Sequence, residues 1–202
     1  MSTLLQINSS IFGDQGQSSQ LADALVARWR ERNPQGRVVK RDLGSQTVPH
    51  WDGERMQALL TPAGERSAQQ QAVVDEADAL IAELRDADVL VIGLPFYNFG
   101  VPSSLKAYFD HVARAGATFR YTATGPEGLL RDRPTYILAA RGGRYAGTPA
   151  DLQTEFVRGF LNFLGIRDIE FVYAEGLNID ADTRSAALQQ AHSDIGELLA
   201  AV

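Results

Sequence analysis

Short apolar runs and amphipathic stretches alternate along the chain. Residues 3–8 read as a first strand. A polar loop from Ser9 to Gln17 follows, then a helix over about 18–32 with Leu21, Leu25, Val26 and Trp29 on one face. Pro34 and Gly36 end it. Residues 37–41, Arg-Val-Val-Lys-Arg, read as a second strand whose charges place it at a sheet edge. Residues 43–65 hold Pro49, Trp51, Gly53, Pro62 and Gly64 and read as an irregular excursion. A helix over about 68–85 leads into a third strand, 88–94, apolar enough to be buried on both faces. The next helix, about 103–114, begins at Ser103-Ser104, which reads as a cap. Residues 117–132 form a hairpin-like insertion turning at Gly125-Pro126. A fourth strand at 135–140, a helix at about 151–164, a fifth strand at 169–174 and a helix over about 183–201 complete the pattern. Strands separated by helices imply right-handed crossovers, hence an α/β domain with a doubly wound, five-stranded parallel sheet and helices on both faces. Order 2-1-3-4-5 suits five strands and makes one domain of residues 1–202.

In that order the loops after strands one, three and four meet at one crevice. Residues 95–102, Pro-Phe-Tyr-Asn-Phe-Gly-Val-Pro, crowd three aromatics between two prolines at the end of a buried strand. A stiff loop of flat side chains there suits a planar ligand, or else is only a well-packed turn. The first loop offers Ser9, Ser10, Gly13, Gly16, Gln17, Ser18 and Ser19 but no Lys or Arg. It suits a phosphate held by a helix N-terminus and neutral donors, with a plain helix cap as the alternative. Spacing excludes a P-loop and the dinucleotide fingerprint. Gly142-Gly143 lets backbone N–H groups approach a ring edge, or serves turn geometry alone.

Composition narrows the chemistry. The 202 residues carry a formal net charge of −6, which argues against nucleic acid and anionic membranes as partners. No cysteine is present, so thiolate chemistry and disulfides are excluded. No apolar run reaches membrane-spanning length and no signal peptide is visible, so a cytoplasmic location is expected. His50, His111 and His192 lack metal-ligand spacing, and no metal site is expected. His111 reads as a structural or surface residue rather than a catalytic acid. Without a Gly-x-Ser-x-Gly elbow an α/β-hydrolase is disfavoured.

Several segments together carry a resemblance: Ser9-Ser10 with 17–21 (Gln-Ser-Ser-Gln-Leu), 95–99 (Pro-Phe-Tyr-Asn-Phe), and 108–116 (Tyr-Phe-Asp-His-Val-Ala-Arg-Ala-Gly). Thr118-Phe119-Arg120-Tyr121, 125–129 and Arg141-Gly142-Gly143 continue it. Over nearly its whole length the chain resembles the FMN-dependent NADH azoreductases and quinone reductases. The resemblance implies a flavodoxin-like fold, a homodimer and one non-covalent FMN per subunit. It also implies ping-pong transfer from NADH or NADPH to quinones or aromatic azo compounds. Carried over by position, FMN contacts fall on Ser10, Gly16, Gln17, Ser18, Phe96, Tyr97, Asn98, Phe99, Ala140, Arg141, Gly142 and Gly143. The chain departs from many relatives at Phe96 (Met), Gly16 (Ser) and Ala140 (Ser). Chemistry borne by a flavin needs no catalytic side chain. Phe119, Tyr121 and Phe163 are candidate substrate-facing aromatics, with core packing as the alternative. Trp51, in the excursion, is the expected reach toward a second subunit. A flavodoxin-type electron carrier remains the other reading, although it would not need the excursions at 43–65 and 117–132 as a pocket roof.

Overall fold

A computed structural model describes residues 1–200; Ala201, expected at the end of the last helix, lies outside the described residues. In chain order the elements are β1 (Thr3–Asn8), α1 (Gln17–Arg32), β2 (Arg37–Asp42), α2 (Gly53–Leu60), α3 (Ala68–Asp86), β3 (Val89–Pro95) and α4 (Ser103–Val112). A hairpin follows, β4 (Phe119–Thr122) and β5 (Gly125–Gly128), then β6 (Thr135–Ala140), α5 (Leu152–Leu164), β7 (Ile169–Ala174) and α6 (Ala181–Ala200). The five-stranded sheet has the order β2-β1-β3-β6-β7, all parallel, and β4-β5 form a separate antiparallel pair. This is the expected 2-1-3-4-5 topology, with charged β2 at an edge.

Alternation along the strands sends neighbouring side chains to opposite faces and builds two apolar layers. Leu5, Ile7, Leu90 and Ile92 pack beneath α3, α4 and α5. Leu4, Val91, Leu138 and Val172 pack beneath α1 and α6, which lie side by side on the other face. Every residue of β6, and all but the first of β3, is buried, which is why these runs carry no polar alternation. The register pairs Asn8 with Gly93, Pro95 with Ala140, and Ala140 with Ala174. Consequently the loops after β1, β3, β6 and β7 leave the sheet at one edge.

Three local expectations change. The hairpin turns at 123–124, while Gly125 and Pro126 pair with Thr122 and Tyr121 as the start of β5. The excursion at 43–65 contains α2, capped by Asp52, whose carboxylate accepts the Arg55 N–H at 2.8 Å. Its apolar signal is weak because only Ala58 is buried, and the surrounding Pro and Gly read as breakers. At α4 the N-cap is Pro102, which makes no side-chain bond, so Ser103 and Ser104 sit inside the first turn instead of capping it. The hairpin packs its backbone against the end of α5. A Cβ on Gly128 would stand 2.2 Å from Gly165 N, and Leu130 N–H donates to Leu164 O at 3.0 Å.

Candidate functional site

The first loop closes on the second. Ser9 Oγ donates to Gly93 O at 2.8 Å, and Ser10 Oγ and the Ile11 N–H both lie 3.3 Å from the Tyr97 hydroxyl. The helix bonds of α1 begin with Gln20 N–H to Gly16 O. Among the described residues the N–H groups of Gln17, Ser18 and Ser19 therefore have no acceptor, as expected at a helix start. Gly16, the N-cap, offers no side chain, and a Cβ there would sit 2.1 Å from Ser10 Oγ. The volume a serine side chain would take is thus held by Ser10. Ser18 is 1% exposed and its hydroxyl has no partner. An unpaired hydroxyl beside unpaired N–H groups makes a pocket of donors without acceptors, the requirement for an anion.

The second loop takes its shape from strain at non-glycine residues. Asn98 and Phe99 have left-handed φ of 49° and 65°, while Tyr97 and Gly100 exchange backbone bonds across them, as in a type I′ turn. For Phe99 this conformation costs about 1–2 kcal/mol. Gln153, fully buried in the first turn of α5, holds the loop by donating to Pro95 O at 2.8 Å and Gly100 O at 2.9 Å. The Phe96 ring stacks on Tyr145 with centroids 4.6 Å apart, and Phe99 meets the same tyrosine edge-on.

The third loop hangs on buried charge. Arg141 has a fully buried side chain that donates to Glu175 Oε1 (3.1 Å), Asp151 Oδ1 (2.9 Å) and Thr154 Oγ1 (2.9 Å). The same Glu175 oxygen accepts the N–H groups of Tyr145 and Ala146, both at 2.9 Å. Burial alone would push the Asp151 carboxyl up, but the Arg141 guanidinium and the Thr154 donors outweigh it and hold the group below its ordinary value. Arg141 also lies 5.1 Å from the Phe96 ring centroid, behind the aromatic wall. Gly142 O and Gly143 O accept from Asn178 and Gly176 N–H, leaving the N–H groups of both glycines without a protein acceptor among the described residues.

A cavity of about 230 Å³ lies between these loops. Ser10, Gly16, Gln17, Ser18, Phe96, Tyr97, Ala140, Arg141 and Gly142 line it, together with Asn178 and Arg184 from beyond β7. A larger one of about 840 Å³ shares Phe96 and Tyr97 and runs along Asn98, Ser103 and Ser104 to Leu43 and Thr47. Of the expected contacts, Gly143 and Phe99 line neither; Phe99 stands 55% exposed at the rim. Arg141 borders the cavity, but its guanidinium turns away into the ion-pair cluster, because two carboxylates there need a buried counter-ion. Tyr145, Gln153, Glu175, Asn178 and Arg184 were not expected at the site.

Phe119, Tyr121 and Phe163 are brought to one another, and not to the crevice. Phe119 is 7% exposed and packs on Phe163 with centroids 4.5 Å apart, because the hairpin folds back on α5 and buries its first residue. Tyr121 meets Phe119 edge-on and is 77% exposed. The 43–65 excursion borders the crevice through Leu43, Gly44 and Thr47. Trp51, half-buried, stacks on His111 of its own α4, with centroids 4.5 Å apart.

His111 is buried, with Nδ1 2.9 Å from Ala107 O and Nε2 unpartnered. Burial pushes its imidazole below the ordinary 6.5, with Arg55 acting in the same direction; the Ala107 bond, Glu76 and Asp110 oppose this only in part. A depressed histidine favours folding fully above pH 6.5 and less as pH falls through the folded value. Wild type should therefore lose more stability between pH 7 and pH 5 than His111→Phe, as measured by urea unfolding. Equal losses would contradict a buried neutral imidazole.

The sequence matches the family described as having the flavodoxin-like fold over residues 2–199. It is 57% identical, over all of both chains, to a Cellvibrio japonicus protein named FMN-dependent NADH:quinone oxidoreductase. A Burkholderia lata protein named FMN-dependent NADH:quinone oxidoreductase 6 is 52% identical over 96% of this chain and 98% of its own. Among solved structures, an FMN-dependent NADH-azoreductase from Bacillus anthracis in complex with FMN superposes with a TM-score of 0.88. It is 26% identical and is covered to 99%, against 98% of this chain. The order of the sheet, the donor-lined helix start and these likenesses agree: the chain belongs to the flavodoxin-like fold family, among the FMN-dependent NADH:quinone oxidoreductases.

Proposed function

We propose that this protein is a cytoplasmic FMN-dependent NADH:quinone oxidoreductase that also cleaves aromatic azo compounds, working as a homodimer with one non-covalent FMN per subunit. NADH is the electron donor, with NADPH as the alternative. The observation that carries the reading is the Ser18 hydroxyl, buried and unpartnered at a helix start with free N–H groups. It shares one cavity with Phe96, Tyr97 and Gly142.

The residues present fit FMN on the geometry of their donors. Ser18 with the N–H groups of Gln17, Ser18 and Ser19 would take the phosphate. Phe96 and Tyr97 would flank the ring, and the free N–H groups of Gly142 and Gly143 would face the ring edge that gains negative charge on reduction. When bound, FMN would supply the two-electron redox chemistry between NADH and a quinone. The strained Asn98-Phe99 turn, held by Gln153, keeps the aromatic wall in place without a cofactor. Exposed Ile11, Phe12 and Phe99 at the rim are apolar surface that a second subunit would cover.

Both substrates would use the same exposed ring face, since a single stacking slot does not hold nicotinamide and quinone together. Initial rates of NADH oxidation measured against quinone at several NADH concentrations should then give parallel double-reciprocal lines. Intersecting lines would contradict the shared slot. An absence of NADH oxidation in the flavin-loaded protein would leave an electron carrier instead.

A further inference from the structure

The phosphate-binding loop has no cation of its own, yet the cavity is not without one. Arg184, in the first turn of α6, lines it together with Gly16, Gln17 and Ser18. We infer that Arg184 is the cationic partner of the flavin phosphate, supplied from the far end of the chain; this rests on the FMN reading above.

The topology places it there. α1 and α6 pack side by side on one face of the sheet and both start at the edge from which the ligand-facing loops emerge. The segment after β7 returns across that edge: Leu177 and Asn178 N–H donate to Arg141 O and Gly142 O, at 3.1 and 3.0 Å. That ladder ties the start of α6 to the wall of the cavity.

Arg184 is also uncommitted. Its side chain is exposed, and its one bond, Nη1 to Leu177 O at 3.4 Å, lies at the long limit for a hydrogen bond. Among the described residues no carboxylate lies within ion-pair distance of it. Asp180, at the start of the same helix, is occupied by Thr183 N and Oγ1 at 2.7 and 2.8 Å. A guanidinium without a carboxylate partner and the unpaired, buried Ser18 hydroxyl therefore border one cavity from adjacent helices. A guanidinium fork donating to two phosphate oxygens, with serine and backbone donors on the other side, is a complete site for a terminal phosphate monoester. It would distinguish FMN from riboflavin, which shares the ring system and lacks the phosphate.

The test is titration of FMN and of riboflavin into flavin-stripped full-length protein, followed by quenching of flavin fluorescence. Arg184→Ala should raise the Kd for FMN about ten-fold, the scale of one charge-assisted contact, with the Kd for riboflavin unchanged. Added salt should weaken FMN binding more steeply in wild type than in Arg184→Ala. Arg184→Lys, which keeps the charge without the fork, should fall between them. An FMN affinity unchanged in Arg184→Ala overturns the inference. So does an equal loss for both flavins, which would mean that Arg184 only supports the wall. Wild-type protein that takes up neither flavin overturns the FMN reading itself, a result separate from either of these.

Discussion

Arg141→Met should lower the free energy of unfolding by about 3–5 kcal/mol, the cost of removing one partner from a buried ion pair. The guanidinium is fully buried between Asp151 and Glu175, whose side chains are 6% and 17% exposed. Methionine fills much of the volume and leaves two carboxylates facing each other without a counter-ion. The damage reaches the site, because Glu175 also anchors the Tyr145 and Ala146 N–H groups, and Asp151 caps α5, whose Gln153 holds the aromatic loop. Urea unfolding at neutral pH measures the loss. A change of less than about 1 kcal/mol, typical of an exposed pair, would contradict the role assigned to this cluster. The pH dependence has a definite sign. Asp151 is held below its ordinary 3.8, so its contribution is complete above that pH and lost as pH falls through the depressed value. Arg141→Met should lack this acid-side decline.

The second large effect is on the ligand. Gly16→Val should lower FMN affinity by about 100-fold, the equivalent of losing two charge-assisted bonds to the phosphate. A Cβ at position 16 meets Ser10 Oγ at 2.1 Å and Ser10 Cβ at 2.5 Å, so relief requires the backbone of the loop to move and not just a rotamer. That movement displaces the N–H groups of the first turn of α1, while the sheet behind it, bonded through β1 and β3, is unaffected. Flavin titration of the variant, with circular dichroism to confirm folding, separates the two. An affinity within a factor of two of wild type would place the phosphate elsewhere, since so small a change is below the value of a single neutral hydrogen bond of about 1 kcal/mol.

What could be read in the sequence was what local pattern encodes. The doubly buried runs of β3 and β6 and the charges on Arg37, Lys40 and Arg41 carry the sheet order, because burial on two faces and exposure at an edge leave opposite compositions. The loops at the crevice were legible for the same reason, being short stretches of serine, glycine and aromatics after strands. What escaped depends on partners remote in sequence. That the Arg141 guanidinium turns from the cavity it borders into an ion pair depends on Glu175, 34 residues on. That Phe119 packs on Phe163 depends on the hairpin folding back against α5. Asn178 and Arg184 follow a strand whose loop has no glycine cluster or aromatic run, so nothing local marked them. Only the fold brings them to Ser18.

If the loops after β1, β3 and β6 form one cradle for FMN, the cofactor should travel with the chain. Purified protein should be yellow, and heat should release FMN in a one-to-one ratio to chain, identified by chromatography against FMN, FAD and riboflavin standards. A single donor-lined helix start provides for one terminal phosphate, so FAD in place of FMN would contradict a cradle of this kind. So would a protein that carries no flavin and takes up none when FMN is added.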